Sequence, residues 1–360
     1  MKDNLATPIH FPCGLVMKNK FALAPMTNKQ SLEDGRLTDE EYHWLTMRAK
    51  GQFGMVMTCA SHVQACGKGF SGQLGIFSDI HIEGHKRLTE KIRSYCSLAV
   101  IQLHHAGMRT PADLIDGKPV CPSDNEEHGA RGLSLEEVRQ LKDDFVAAAL
   151  RSKQSGYDGV QVHGAHGYIL TQFLSAATNK RTDQYGGSLE NRARLLMEIV
   201  EEIRRVCGAE FLLGVRLSPE RYGLDLMEAK QVCEWLIDGR KIDFLDVSLW
   251  DIYKMPEEEQ YKGQDLLSYF TALDLKGVRL TVAGKIRDGK DVQRAMEAGI
   301  DFVSIGRSAI LHHDFPEKVI KDPQFKAIAT PVSKEHLRQE GLGEIFIKYM
   351  GRWPDFVQED

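Results

Sequence analysis

Gly159-Val-Gln-Val-His-Gly164 is a short, mostly apolar run closed at both ends by glycine. Near-continuous apolar runs of this length are how strands buried on both faces read, as parallel strands are. Three such runs precede it (Phe21–Pro25, Met55–Ala60, Leu98–Leu103) and four follow (Phe211–Ser218, Phe244–Leu249, Leu280–Gly284, Phe302–Arg307). Most are separated by segments of helical period with helix-start chemistry. Ser134-Leu-Glu-Glu137 is a capping box. Ser188 stands before Leu195, Leu196, Ile199 and Ile203, and Asp288 before Val292, Ala295 and Met296, each set at helical spacing. Eight strands alternating with helices, with no linker or composition shift, predict an α/β chain folded as a single (β/α)8 (TIM) barrel. An open doubly wound sheet would show a Gly-x-Gly-x-x-Gly turn after its first strand, and Pro25-Met26-Thr27-Asn28 is not one. The expected organisation is a barrel over residues 1–324 and a tail over 325–360, packed on the barrel or on a neighbouring subunit. Residues 104–133, rich in Pro, Gly and Asp, form a long loop after the third strand, in the place where barrels keep lids.

The bulk properties agree with an ordinary globular domain. Of 360 residues, 42% are apolar and 27% charged, and 46 Lys and Arg face 51 Asp and Glu. No basic stripe is present to follow a phosphate backbone, so no nucleic-acid partner is expected. Met1–Phe11 lacks the pattern of a secretory leader, and no stretch reaches the roughly 18 apolar residues of a membrane span. The seven cysteines are scattered and form no Cys-x-x-Cys pair. They read as reduced thiols of a cytoplasmic protein, with no metal site signalled.

In a barrel of this kind, function sits where the strands end at their carboxyl side. Those ends supply Met26-Thr27, Ala60, Gln102, His163 with His166 and Tyr168, Arg216, Trp250, Gly284-Lys285 and Gly306-Arg307. Amide, imidazole, phenol and guanidinium groups predominate, and carboxylates are few, which disfavours a metal-dependent hydrolase. Two adjacent strands ending in glycine and a cation suit a phosphate, because glycine lets backbone amides approach it.

The ordered set His163-Gly-Ala-His166-Gly-Tyr168, Gln172-Phe-Leu-Ser175, Asn179-Lys-Arg-Thr-Asp183 and Tyr185-Gly-Gly-Ser-Leu-Glu-Asn-Arg192 strongly resembles the old yellow enzyme signature. Ala24-Pro25-Met26-Thr27, Gln102-Leu-His104, Gly107 and Arg216 also stand where that family places them. The likeness runs from about residue 7 to about residue 315, and His166 puts it closest to the short bacterial branch. The resemblance implies an NAD(P)H-dependent oxidoreductase with FMN as cofactor, passing hydride to an electron-poor small molecule such as an α,β-unsaturated carbonyl or nitro compound. It implies that Gln102 meets the flavin pyrimidine edge, Arg216 the N1 and O2 side, and Thr27 the O4 and N5 region. Pro25, Met26 and Ala60 would line the ring, while Gly284, Lys285, Gly306 and Arg307 hold the ribityl phosphate. His163 and His166 would bind the substrate oxygen, and Tyr168 would deliver the proton. Lys29, where an aromatic is frequent in that branch, and Trp250 are further substrate-side candidates. Gly351-Arg352-Trp353 resembles a chain ending in which an Arg enters a neighbouring subunit's site, which implies a homo-oligomer built on dimers. The rival readings are oxidative demethylation of a small amine on the same barrel, a tRNA dihydrouridine synthase, and a non-catalytic flavin-binding protein. The tRNA enzyme would need a catalytic Cys and a basic surface, and the sequence offers neither.

Overall fold

The computed structural model describes residues 5–359. The first four residues of the stretch read for a leader therefore lie outside the described residues. Eight parallel strands close into a barrel: β1 Phe21–Leu23, β2 Met55–His62, β3 Leu98–His104, β4 Gly159–Gly164, β5 Leu212–Leu217, β6 Phe244–Ser248, β7 Arg279–Ala283 and β8 Phe302–Ile305. Closure is made by β8 against β1, with Ser304 opposite Ala22. Around them run α1 Asp39–Lys50, α2 Ile82–Arg93, α3 Leu135–Gln154, α4 Leu189–Cys207, α5 Leu226–Asp238, α6 Ser268–Thr271, α7 Gly289–Glu297 and α8 Phe315–Lys321. All eight apolar runs are strands in the expected order. The three helix starts read from the sequence are capped as expected by Ser134, Ser188 and Asp288. No helix among the described residues is long and apolar enough to cross a membrane.

The period of two along the strands sorts the barrel interior by height. At its amino end the inward positions are Met55, Met57, Leu98, Val100, Leu212, Phe244 and Phe302, packed into one cluster. A hairpin ribbon, Ile9–His10 against Val16–Met17, closes that end. Its Phe11 ring lies 6.1 Å from Phe244 and 5.9 Å from Phe302. Gly214 is small for a reason: a Cβ there would come within 2.1 Å of the Phe244 ring. One step higher the same strands turn polar, with Gln102, Gln161, Arg216 and Asp246 all buried. The apolar floor and polar upper layer together prepare a site at the carboxyl rim.

Backbone strain collects at that rim. Of eleven described non-glycine residues at positive φ, six (Lys29, His166, Arg221, Tyr222, Trp250 and Lys285) lie just beyond strand carboxyl ends. The loop after β3 is folded rather than loose. Val120–Cys121 pairs in parallel with Arg131–Gly132, and Arg181 donates to the Pro122 carbonyl at 2.8 Å. The tail forms two helices, Lys334–Gln339 and Glu344–Met350. Within this chain it packs on its own barrel, with Phe346 edge-on to Trp44 of α1 at 5.3 Å.

Candidate active site

β3 to β6 carry the polar layer in matched register. Gln102 stands opposite Gln161, His163 opposite Arg216, and Arg216 opposite Asp246. Neighbouring positions that face inward bring their side chains together. Gln102 Nε2 donates to Gln161 Oε1 at 2.6 Å, and Gln161 Nε2 donates to Asp246 Oδ2 at 3.0 Å. Arg216 Nε lies 3.3 Å from the same carboxylate oxygen, and its Nη2 reaches Ser248 Oγ at 3.4 Å. Burial pushes the Asp246 carboxyl up, against the pull of Arg216 and the Gln161 hydrogen bond.

β4 and the turn after it supply the imidazoles and phenol. His163 ends the strand, His166 sits at φ 62, and Tyr168 leads into the short helix Ile169–Leu174. The His163 ring centre is 5.1 Å from that of His166 and 5.4 Å from that of Tyr168. His166 Nε2 is held at 2.7 Å by Ser248 Oγ, and its backbone N–H donates to Ser218 Oγ at 2.9 Å. Burial, with Arg216 and Arg109 nearby, lowers the His166 pKa to about 3. Burial and the neighbouring imidazoles also hold His163 far below the usual range. Both rings are therefore neutral at pH 7, each with one N–H to give.

The Tyr168 phenol is pushed up by burial, while Arg109 pulls it back. Arg109 belongs to the loop after β3. It donates to the His166 carbonyl and places its guanidinium 4.8 Å from the Tyr168 ring centre. His104 packs edge-on against Tyr168 at 4.3 Å.

The remaining expected residues spread around the same rim. Pro25, Met26, Thr27 and Ala60 are half-buried at the ends of β1 and β2. Thr27 faces the hydroxyl of Tyr349 from the tail, and Lys29 Nζ lies 5.5 Å from that ring centre. Arg352, exposed, is close enough to lower the Lys29 pKa further than burial alone. Trp250 stands at the rim 57% exposed, with Arg221 over its ring at 5.4 Å. It lines a small cavity together with His166 and Ser248.

Gly284 and Lys285 follow directly on the end of β7. The Lys285 ammonium is paired with Asp251 Oδ2 at 2.8 Å. A Cβ on Gly284 would come within 2.9 Å of the Asp251 backbone, so this glycine makes room for its own chain. Gly306 is the open one, because a Cβ there would meet only Met26 Sδ, at 3.6 Å. Beside it the Arg307 guanidinium has its pKa lowered by burial and then by the nearby charge of Arg287. Arg287 is also close enough to Asp251 to help hold that carboxyl below its usual range. Arg287, absent from the sequence reading, is a further cation beside Arg307.

Several buried polar atoms here make no hydrogen bond among the described residues: His163 Nδ1, His104 Nε2, Asp246 Oδ1 and Arg216 Nε, the last of which has only its ion pair with Asp246. Buried polar atoms are ordinarily paired, so orphans gathered under one rim mark where a polar ring would be held. With the guanidiniums of Arg307 and Arg287 near Gly306, the donor set fits a flavin and its phosphate.

Comparison with known proteins decides the class. The model of the NADH:flavin oxidoreductase / NADH oxidase family matches residues 4–324. The chain belongs to this family. As a member of the NADH:flavin oxidoreductases it is an enzyme that takes FMN as cofactor and NADH or NADPH as electron donor. It is 35% identical to the "Probable NADH-dependent flavin oxidoreductase YqiG" of Bacillus subtilis, over 97% of each chain. The old yellow enzyme homologue of Zymomonas mobilis superposes with a TM-score of 0.77 at 28% identity, over 92% of this chain and 96% of that one. A 2-naphthoyl-CoA reductase superposes with a TM-score of 0.81 at 27% identity, over 89% of this chain. This chain spans only 52% of that longer enzyme.

Gln161, Asp246, Tyr349, Arg109 and Arg287 were missed in the sequence reading. Gln161 and Asp246 were legible as lone polar residues at inward positions of otherwise apolar runs. Tyr349 and Arg109 had no such signal, since they reach the rim from segments whose path only the fold fixes. The signature motif itself divides into chemistry and scaffold. Asn179 ties the Phe173 and Tyr185 carbonyls at 2.7 Å each, and Arg192 pairs with Glu228 at 2.6 Å.

Proposed function

We propose that the enzyme reduces activated alkenes, α,β-unsaturated carbonyl or nitro compounds, at the rim between β4 and the ends of β1 and β2. The observation that carries this reading is the grouping of two neutral imidazoles with one buried phenol. FMN, when bound, supplies the hydride chemistry between NAD(P)H and the acceptor. The chain's own groups do the rest. Neutral His163 and His166 each offer an N–H to a carbonyl or nitro oxygen, which polarises the conjugated system without placing a full charge beside it. Tyr168 keeps its proton at neutral pH because burial disfavours phenolate, and it can release that proton to carbon when charge develops next to it. Gln102 and Arg216 face the pyrimidine side, Thr27 the opposite edge, and Gly306 with Arg287 and Arg307 the phosphate. Met26 and Ala60 border the ring, and Lys29, Trp250 and Arg352 stand at the mouth where substrate enters.

The test is an absorbance spectrum of the purified protein, anaerobic reduction with NADH and with NADPH, then reoxidation by a panel of enones, enals and nitroalkenes. Reoxidation by these at rates above that of oxygen is expected. A protein that NAD(P)H reduces but that no activated alkene reoxidises would overturn the substrate class and leave the oxidoreductase class standing. Oxidation of a small methylated amine would favour the demethylase.

A further inference from the structure

We propose that Asp246 is a positioning residue of the flavin site, which fixes the polarity of the Gln161–Gln102 amide pair and offsets the charge that Arg216 presents. The inference rests on the reading that Gln102 and Arg216 face the flavin.

An amide can be turned either way round, and a row of amides has no intrinsic direction. A carboxylate at the end of the row gives it one. Asp246 Oδ2 accepts from Gln161 Nε2, so Gln161 Oε1 is left to face β3, and Gln102 Nε2 must donate to it. Gln102 then has its own Oε1 free to accept from an N–H of the bound ring. Were Asp246 apolar, both amides could flip and Gln102 would offer a donor or an acceptor at random.

The same oxygen lies 3.3 Å from Arg216 Nε, directly across the β5–β6 register. A fixed guanidinium under a flavin favours the reduced form, which carries more negative charge. A carboxylate against it reduces that bias. Stability alone does not account for the pair, since a buried ion pair is commonly no more stabilising than apolar residues of similar volume. The position below Asp246 on the same face is Phe244, and that below Arg216 is Gly214, which are packing residues. Asp246 is fully buried, and among the described residues neither its Oδ1 nor the Arg216 Nε–H makes a hydrogen bond.

Two variants separate the two roles. Asp246→Asn keeps an acceptor for Gln161 and removes the charge. The ratio of reduced-state to oxidised-state FMN affinity should rise at least tenfold, a midpoint shift of about 30 mV upward for a two-electron couple. Gln161→Met removes the amide row and leaves the ion pair. FMN should bind several-fold more weakly, with the affinity ratio changed by less than threefold. Asp246→Ser, a smaller neutral acceptor, stands in if the Asn variant does not accumulate. Potentiometry with FMN titration of the apoprotein reads all three. An unmoved or lowered potential in both neutral variants overturns the charge role, and unchanged FMN affinity in Gln161→Met overturns the amide role. A wild-type protein that takes up no FMN would instead overturn the site reading itself.

Discussion

Tyr168 sits under opposing influences, and the balance sets how good an acid it is. Burial raises its pKa while the Arg109 guanidinium over its ring opposes that rise. An exposed cation–π contact contributes about 0.5–1 kcal/mol. Arg109→Met should therefore leave Tyr168 a weaker acid and slow reoxidation by an enone about two- to fivefold, by that same magnitude. The sign of the pH dependence follows. Tyr168 stays protonated through neutral pH, so the wild-type rate is level there and declines only on the alkaline side. In Arg109→Met the plateau drops and the decline moves to still higher pH. Rapid mixing of reduced enzyme with an enone and with a quinone, which needs no proton at carbon, checks this. Slowing of both substrates alike would assign Arg109 to binding instead. At this scale the sequence was informative wherever a strand end carried the group. His163, Gln102 and Arg216 lie at or near the carboxyl ends of strands that read as apolar runs in the chain. The glycine–cation pattern is symmetric between β7 and β8, and the ion pair of Lys285 with Asp251 could not be read from it.

The strands were legible as elements because burial on both faces leaves nearly unbroken apolar runs, and boundaries moved by only one or two residues. The tail was harder to place. Its apolar content said that it packs, but not on what, because one apolar face reads alike whether it meets its own barrel or a neighbour's. In this chain Phe346 is fully buried against Trp44, Gly343 N–H donates to Gln30 Oε1 at 2.9 Å, and Glu340 Oε2 accepts from His313 Nδ1 at 2.8 Å. The helix Glu344–Met350 thereby brings Tyr349 to Thr27. Emptying the Phe346 socket should cost about 3–5 kcal/mol, as for other large aromatic truncations. Phe346→Ala is thus expected to lower the urea midpoint strongly and to open the chain near Gly343 to proteolysis while FMN stays bound. A variant within 1 kcal/mol of wild type would mean that the tail is held elsewhere, for example by a second subunit.

Across the whole molecule, the buried histidines tie stability to acidity. Burial is the first cause of lowered pKa in eight of them: His62, His85 and His312 to about 4, His105 and His166 to about 3, and His81, His104 and His163 in the same direction. Unfolding exposes imidazoles with a pKa near 6.5, so below that pH the unfolded chain binds more protons than the folded one. Each such histidine can then remove up to about 1.4 kcal/mol per pH unit, down to its folded pKa. Three buried carboxyls, Glu41, Asp158 and Asp246, are raised by burial and act the other way, stabilising the fold on acidification through the range just above pH 4. Eight groups against three leave the histidines dominant, and carboxylates held low, such as Glu137 near 2 beside Arg131, add to the loss at still lower pH. The fold should therefore be most stable near and above pH 7 and lose stability steeply between pH 6.5 and 4. Urea unfolding at saturating FMN, at pH 7.5, 6.5 and 5.5, should give midpoints that fall in that order. A level or rising midpoint would mean that water or protons reach these imidazoles in the native state.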